Sequence, residues 1–346
     1  MKIGIAGFSG CGKSTVFQWL TGDAPDPSRA QHGQIGKPIV PDPRLDYLSS
    51  LFNPKKTTPT RMELLDTPGL HPTERRDNPR RLAILRDSNG LLVILAGFAG
   101  GNLTDELRAF RAELQFADLE IVTNRLDKLK DLGKKTKPVK QREAEEAEAA
   151  LLRRVAACLE NGEGAAAANL KPDEEKLIRS FQLLTLKPEL IFVNIAEDRI
   201  GKPLPEELLK LAPTAVQAPA KLELELSELP EEDRQAFMQD LNLSGFSRDE
   251  TLRRIFAGMD QIVFFTVGED ECRAWAIPKG ASAPQGAGQI HTDLEHGFVR
   301  AEVVAYEDFK KHGSMKEAKH HGVYRLEGKT YIVHDGDIMH ILAGHA

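Results

Sequence analysis

Residues Gly7-Phe8-Ser9-Gly10-Cys11-Gly12-Lys13-Ser14 narrow the possible folds of this 346-residue chain more than any other feature. They follow a short apolar run over residues 2–7 and precede a helical stretch, Thr15–Leu20. The order is therefore strand, glycine-rich turn, helix, which is the context that gives the spacing Gly-x4-Gly-Lys-Ser a chemical meaning. Glycines allow consecutive backbone N–H groups to point inward at an anion. The helix that follows adds the positive end of its dipole. Lys13 is expected to reach the β- and γ-phosphates of a nucleotide, and the Ser14 hydroxyl to ligate Mg²⁺. Ser9, Gly10, Cys11, Gly12, Lys13, Ser14 and Thr15 form the expected phosphate-binding segment.

Asp66-Thr67-Pro68-Gly69 lies about fifty residues downstream, at the end of the strand expected over Arg61–Leu65. Beside a phosphate loop, Asp66 is the expected second Mg²⁺ residue, acting through water. The Gly69 N–H would sense the γ-phosphate. Lys13, Asp66 and Gly69 are the expected catalytic set. Leu70 stands where many such enzymes carry a glutamine that orients water; leucine can neither orient nor deprotonate it. His71 is the adjacent group able to position water, though an exposed loop histidine is the plainer assignment. Arg75, Arg76, Arg80 and Arg81 form a run that reads as a solvated loop or as contacts to phosphate or RNA. Cys11 lies near a helix N-terminus, a place that lowers a thiol's pKa, and its oxidation would block the phosphates.

Asn194-Ile195-Ala196-Glu197 follows the strand expected over Glu189–Val193, where GTP-binding proteins carry Asn-Lys-x-Asp. Ile195 can cover a base without charge. Glu197 is one methylene too long for the usual pairing with guanine, so guanine selectivity weakens. Asn194 would brace the pocket or bind N7, with a turn cap as the plainer role.

The charge balance is −6, which excludes a generally basic nucleic-acid-coating protein but not a local basic patch. No apolar run reaches the ~18–20 residues of a membrane helix. The N-terminus lacks a secretory apolar region, so a cytoplasmic protein is expected. Cys11, Cys158 and Cys272 are too scattered for a disulfide framework or a zinc site. Gly22–Pro43 reads as a long loop. Residues 103–160 read as two long helices joined by a basic turn at Lys134–Pro138, an antiparallel hairpin. Further helices are expected over 206–211 and 231–240, and a strand near Ala215–Ala218. Val263–Val267, Ala274–Ile277, Val299–Ala305 and Tyr331–Val333 read as strands of a small α+β domain. His312, His320, His321, His334 and His340 crowd that region, but no Cys or Asp/Glu spacing suggests a metal site. Lys310, Lys311, Lys316 and Lys319 suggest a weakly basic face able to touch rRNA.

Several segments together resemble the YchF family, the Obg-like ATPases. They include Val40-Pro41-Asp42-Pro43-Arg44-Leu45-Asp46, Ala117-Asp118-Leu119-Glu120 and Leu184-Thr185-Leu186-Lys187-Pro188. The C-terminal part adds Arg273-Ala274-Trp275, Ile290-His291-Thr292-Asp293, Gly297–Val303, Tyr306–Phe309 and Arg325–Asp337. The resemblance implies an α/β phosphate-loop NTPase domain, a mostly parallel sheet with helices on both faces. It also implies an inserted helical hairpin and a C-terminal ubiquitin-like β-grasp (TGS) domain. The boundaries expected are 1–102 and 183–260 for the nucleotide domain, 103–182 for the hairpin and 261–346 for TGS. The resemblance further implies ATP hydrolysis, often preferred over GTP, and association with the ribosome; no DNA partner is expected, and the lack of a long apolar run leaves no membrane partner expected. It makes Asn-x-x-Glu the family's own base motif, with Ile195 contacting the nucleotide and Ala220-Lys221-Leu222 at the last base-contacting loop.

The chain also departs from the family pattern. The phosphate loop usually reads Asn-Val-Gly-Lys-Ser, against Gly10-Cys11-Gly12-Lys13-Ser14 here. The Mg²⁺-ligating threonine of the first mobile loop has no equivalent: Ala30 falls at its place, with Ser28 and Thr21 the nearest hydroxyls. His71–Arg81 replaces a glycine-rich stretch. Slow hydrolysis accelerated by a partner is expected, the alternative being a nucleotide-liganded adaptor that has lost hydrolysis. A transporter-type ATPase is disfavoured, because Leu-Ser-Gly-Gly-Gln is absent.

Overall fold

The computed structural model describes residues 1–29, 31–133, 137–241 and 245–344. The chain divides into two compact units, residues 1–36 with 63–246 and residues 37–62 with 247–346. The elements begin β1 (Lys2–Ala6), α1 (Lys13–Thr21), β2 (Gln34–Gly36), α2 (Pro43–Phe52), β3 (Lys56–Thr58) and β4 (Glu63–Asp66). They continue α3 (Asn78–Arg86), β5 (Gly90–Leu95), α4 (Leu103–Leu132), α5 (Val139–Glu160), α6 (Pro172–Ile178) and β6 (Glu189–Asn194). Next come α7 (Glu206–Leu211), β7 (Val216–Ala218), α8 (Ala220–Ser227), α9 (Glu231–Asp240), α10 (Arg248–Gly258), β8 (Gln261–Thr266) and β9 (Glu271–Pro278). The chain closes with α11 (Ala283–Ile290), α12 (Thr292–His296), β10 (Phe298–Ala305), α13 (Tyr306–His312), α14 (Met315–His320), β11 (Arg325–Glu327) and β12 (Asp337–Ala343).

The first unit holds a sheet of order β2-β4-β1-β5-β6-β7, parallel except for β2. This is the mixed α/β arrangement of a phosphate-loop NTPase. Every residue of β5 is buried, as its unbroken Gly-Leu-Leu-Val-Ile-Leu run requires of a strand covered on both faces. Each of its fully buried branched side chains contributes about 1.5–3 kcal/mol. The strands place the loops after β1, β4, β5 and β6 at their carboxyl ends, where α/β sheets carry ligands.

α4 serves two layers in turn. Leu103, Leu107, Phe110 and Leu114 pack with Val93, Leu95 and Ile191 of the sheet. Further along, Val122 and Leu129 pack with Leu152, Val155 and Leu159 of α5. Asn102 starts the helix by accepting from Thr104 N and Asp105 N. The expected two-helix insert is thus present, while its joining turn falls partly on residues 134–136, outside the described residues.

Asp118 explains two motifs of the first unit. Its fully buried carboxylate accepts from Arg86 Nη1, Leu184 N, Thr185 N and Thr185 Oγ1. Lys187 Nζ donates to Arg86 O and Ser88 O at the end of α3. Burial lowers its pKa.

The second unit holds a sheet of order β11-β10-β12-β8-β9-β3. The β8–β9 hairpin is antiparallel, and β12 runs parallel to β8 at the sheet centre, the β-grasp arrangement. Phe264, Ala287, Phe298, Val303 and Met339 lie in its core. The strand expected at Tyr331–Val333 is corrected: Ile332 makes only an isolated bridge to Ser282. The strand is β12, whose Ile338 and Met339 are buried beside β8.

Residues 37–62, expected within the nucleotide domain, fold with the C-terminal residues. β3 pairs in parallel with β9, and Thr60 Oγ1 donates to Ala274 O. α2 opens on Asp42, whose side chain accepts from Arg44 N, with Pro43 in the first turn. The expected loop over Gly22–Pro43 contains β2, an edge strand whose only large apolar side chain, Ile35, is exposed; hydropathy therefore did not mark it.

Candidate functional site

The turn between β1 and α1 opens onto a cavity of about 430 Å³. Ser9, Gly10, Gly12, Lys13, Ser14 and Thr15 line one part of it, and Asp66 to Gly69 another. Gly12 caps α1 at φ 90°, and a Cβ there would lie 2.3 Å from Asn194 Nδ2. Both its left-handed backbone and this close approach demand glycine. Asn194 Nδ2 in turn donates to Cys11 O at 3.5 Å. Asn194 therefore braces the phosphate loop from the end of β6.

Lys13 is buried to 7 % exposure, and its Nζ donates to Phe8 O at 2.8 Å. Ser14 Oγ donates to Asp66 Oδ2 at 2.8 Å. Asp66 Oδ1 is buried with no hydrogen-bond partner, and burial raises the carboxyl's pKa. A hydroxyl and a half-satisfied carboxylate beside this cavity are oxygen donors of the kind Mg²⁺ takes, so these residues fit the ion. Gly69 is packed tightly: a Cβ there would lie 2.4 Å from Lys13 Nζ and 2.6 Å from Ser9 Cα.

Leu70 is removed from the cavity. Its N donates to Gly7 O, its O accepts from Ser9 N, and its side chain is 1 % exposed in the sheet core. His71 is half-buried and not among the residues lining the cavity; its backbone N–H and C=O are both held by the Asn78 side chain. Arg75 pairs with Glu113, and Arg81 Nη1 donates to Gly69 O. Those two arginines thus have protein partners, Arg75 at an exposed position.

Cys11 differs from the sequence expectation. The thiol is 1 % exposed, and burial raises its pKa against the opposing pull of Lys13. Desolvation outweighs the helix end, so this is not an activated thiol.

The expected hydroxyls of the first mobile loop are engaged elsewhere. Thr21 Oγ1 donates to Phe17 O, and Ser28 Oγ donates to Asp26 Oδ1. Ala30 lies outside the described residues. Asp26 and Arg29, which the sequence did not single out, do line the cavity.

A second cavity of about 340 Å³ is bordered by Phe98, Asn102, Ile195, Asp198 and Arg199. Ile195 is buried and its N–H donates to Ala218 O. Phe98 is 45 % exposed, and its ring lies 3.7 Å from where a Cβ on Gly12 would sit. An aromatic within Gly97-Phe98-Ala99-Gly100-Gly101, directly after a buried strand, was the signal for it. Glu197 is exposed and lies outside the residues bordering this cavity. Ala220, Lys221 and Leu222 form the first turn of α8: Ala220 is buried, Leu222 half-buried, and exposed Lys221 pairs with Glu225 at 3.7 Å.

In the second unit, Glu317, His320 and His321 bring ligand atoms within 4.8 Å of one another, all three exposed. The expectation that no acidic spacing accompanies these histidines is corrected: Glu317 stands one helical turn before His320 and His321. His312 stacks on His321 with ring centroids 4.3 Å apart. Lys319 sits over Tyr324, and Lys310, Lys311 and Lys316 are exposed.

A family model, YchF-GTPase_C, described as "Protein of unknown function (DUF933)", matches residues 261–343. The chain is 33 % identical to the Ribosome-binding ATPase YchF of Bacillus subtilis, over 98 % of each chain. It is 32 % identical to the Obg-like ATPase 1 of Oryza sativa, covering 98 % of this chain and 91 % of that one. Its fold matches the Schizosaccharomyces pombe YchF GTPase with a TM-score of 0.79 and 25 % identity, over 99 % of this chain and 97 % of that one. No helix among the described residues is long and apolar enough to cross a membrane.

Proposed function

Because the chain belongs to the YchF family of Obg-like ATPases, we propose that it binds ATP at the loop after β1, hydrolyses it slowly and associates with the ribosome. The observation that carries this is the Ser14 Oγ to Asp66 Oδ2 hydrogen bond at 2.8 Å, with Asp66 Oδ1 unpartnered beside Lys13. The two residues would hold Mg²⁺, which when bound neutralises phosphate charge. Lys13 exchanges its hold on Phe8 O for the β- and γ-phosphates. Backbone N–H groups from Gly10 to Ser14 and the N-terminus of α1 take the remaining oxygens.

The base is placed against Ile195 and Phe98, an apolar edge suited to a purine face. Exposed Glu197 is a weak reader of guanine, which favours ATP while leaving GTP as a substrate. Leu70 faces the core rather than the phosphates, so the attacking water has no glutamine to order it, and the intrinsic rate is low. The exposed lysines near α13 and α14 supply a basic face for rRNA. The relatives' names, Ribosome-binding ATPase, support the partner.

The purified protein is titrated with labelled ATP and GTP with and without Mg²⁺, and phosphate release is followed with and without ribosomes. Mg²⁺-dependent ATP binding and ribosome-stimulated release are expected. Absence of nucleotide binding would exclude the proposal. Binding without release under either condition would leave a nucleotide-liganded adaptor, the function favoured by the lack of a threonine at Ala30.

A further inference from the structure

Transfer of a phosphoryl group to water concentrates negative charge on the γ-phosphate and on the leaving oxygen, and enzymes of this kind meet it with positive charge. Among the described residues lining the cavity, Lys13 and Arg29 are the two cationic ones. Lys13 is committed to the β- and γ-oxygens. Arg29 stands on the loop that should carry the missing threonine, one residue before Ala30.

Its main chain is tied down. Arg29 N donates to Asp26 O at 3.0 Å, and Arg29 O accepts from His32 N at 3.0 Å and from Gly33 N at 2.9 Å. Its side chain is held lightly: Nε meets Asp26 Oδ2 at 3.5 Å, with the two side chains 62 % and 42 % exposed. An exposed pair of this kind contributes about 0–1 kcal/mol, so a triphosphate can displace the carboxylate. Arg76 and Arg80 are exposed and not among the residues lining the cavity, and the other candidates have partners or lie in the core. Leu70 is in the core, Thr21 and Ser28 have protein partners, Arg75 binds Glu113 and Arg81 binds Gly69 O.

We infer that Arg29 is a catalytic residue supplied by the chain itself, contacting the γ-phosphate and stabilising the transition state for water attack. This rests on the ATPase function proposed above. In the step, the water oxygen forms a bond to the γ-phosphorus as the bond from that phosphorus to the β–γ bridging oxygen breaks. The electron pair stays on ADP, and the water's proton leaves with the released phosphate or to solvent. Arg29 takes no proton; its fork of N–H donors matches the charge spreading over the phosphoryl oxygens.

The full chain is compared with Arg29→Ala and Arg29→Lys in three measurements: affinity for labelled ATP, single-turnover hydrolysis, and affinity for ADP with and without aluminium fluoride. Arg29→Ala should keep ATP affinity within about threefold, lose hydrolysis by about 100-fold or more, and lose the gain in ADP affinity that aluminium fluoride provides. Arg29→Lys should restore only part, since an ammonium is a point charge. Hydrolysis by Arg29→Ala within about twofold of the parent would overturn the inference. So would a parent protein that binds ADP no better with aluminium fluoride than without it. Either result would leave ATP binding standing, whereas a parent protein that binds no nucleotide would remove the ATPase function itself.

Discussion

Arg44 and Asp335 lie 291 residues apart in the chain, yet Arg44 Nη1 donates to Asp335 Oδ2 at 2.7 Å. Arg44 also pairs with Asp42 at 2.8 Å and lies over the Phe265 ring at 5.3 Å. Asp335 Oδ1 accepts from Val263 N in β8, a strand in the interior of the sheet. The two family-like segments that contain Arg44 and Asp335 are therefore halves of one unit.

Arg44→Ala should destabilise the second unit by about 1–2 kcal/mol: two charge-assisted bonds and a ring contact are lost, discounted for partial exposure. Urea unfolding followed by Trp275 fluorescence measures it. Affinity for labelled ATP should be unchanged. A stability equal to the parent's would assign the arginine no structural role.

Asp118→Ala should cost about 3–5 kcal/mol, because it leaves the Arg86 guanidinium and the Leu184 and Thr185 amides without their buried acceptor. Thermal unfolding of the whole chain should show a lower first transition. A shift under ~1 °C would mean the network is not strained by its loss.

Gly69→Ala should fold, yet bind ATP at least about tenfold more weakly. The new methyl would lie 2.4 Å from Lys13 Nζ and 2.6 Å from Ser9 Cα, so both the lysine and the backbone of the loop after β1 must move. Equilibrium titration against far-ultraviolet circular dichroism separates lost binding from lost fold. Unchanged affinity would show that Lys13 and the Ser9 backbone absorb the displacement without loss of the site.

Cys11 should resist alkylation at neutral pH. Burial, ahead of the Lys13 charge, raises its pKa above the ordinary 9.0. A folded value above the unfolded one adds stability that is complete below about 9.0 and disappears as pH rises through the raised value. Iodoacetamide labelling read by mass spectrometry should modify half-buried Cys158 before Cys11 and Cys272. Preferential labelling of Cys11 would reverse this ordering.

Much of the nucleotide-binding unit was readable because its signals are local. The run before Gly7 had to be a buried strand, and the apolar spacing of residues 103–160 had to be two helices. Edge strands were not readable in the same way. β2 and β3 have three residues each and little apolar content, so pairing partners remote in sequence create them. β12 and Tyr331–Val333 are two short apolar runs, and apolar content alone does not say which of them lies beside β8. α2 does carry a local signal, the Asp42-Pro43 start, within the segment Val40–Asp46 that resembles a family motif.

By itself, the sequence determined the glycine-rich turn between β1 and α1, because backbone conformation, charge and helix polarity there depend on residues within one turn of each other. Only the tertiary structure decided the remaining roles. It joined Ser14 to Asp66, buried Cys11 and Leu70, set Asn194 against the loop and Arg29 on the cavity, and gave residues 37–62 to the second unit. Burial and long-range pairing are properties of the packed chain, and they decide whether a thiol, a carboxylate or an arginine meets water, protein or substrate.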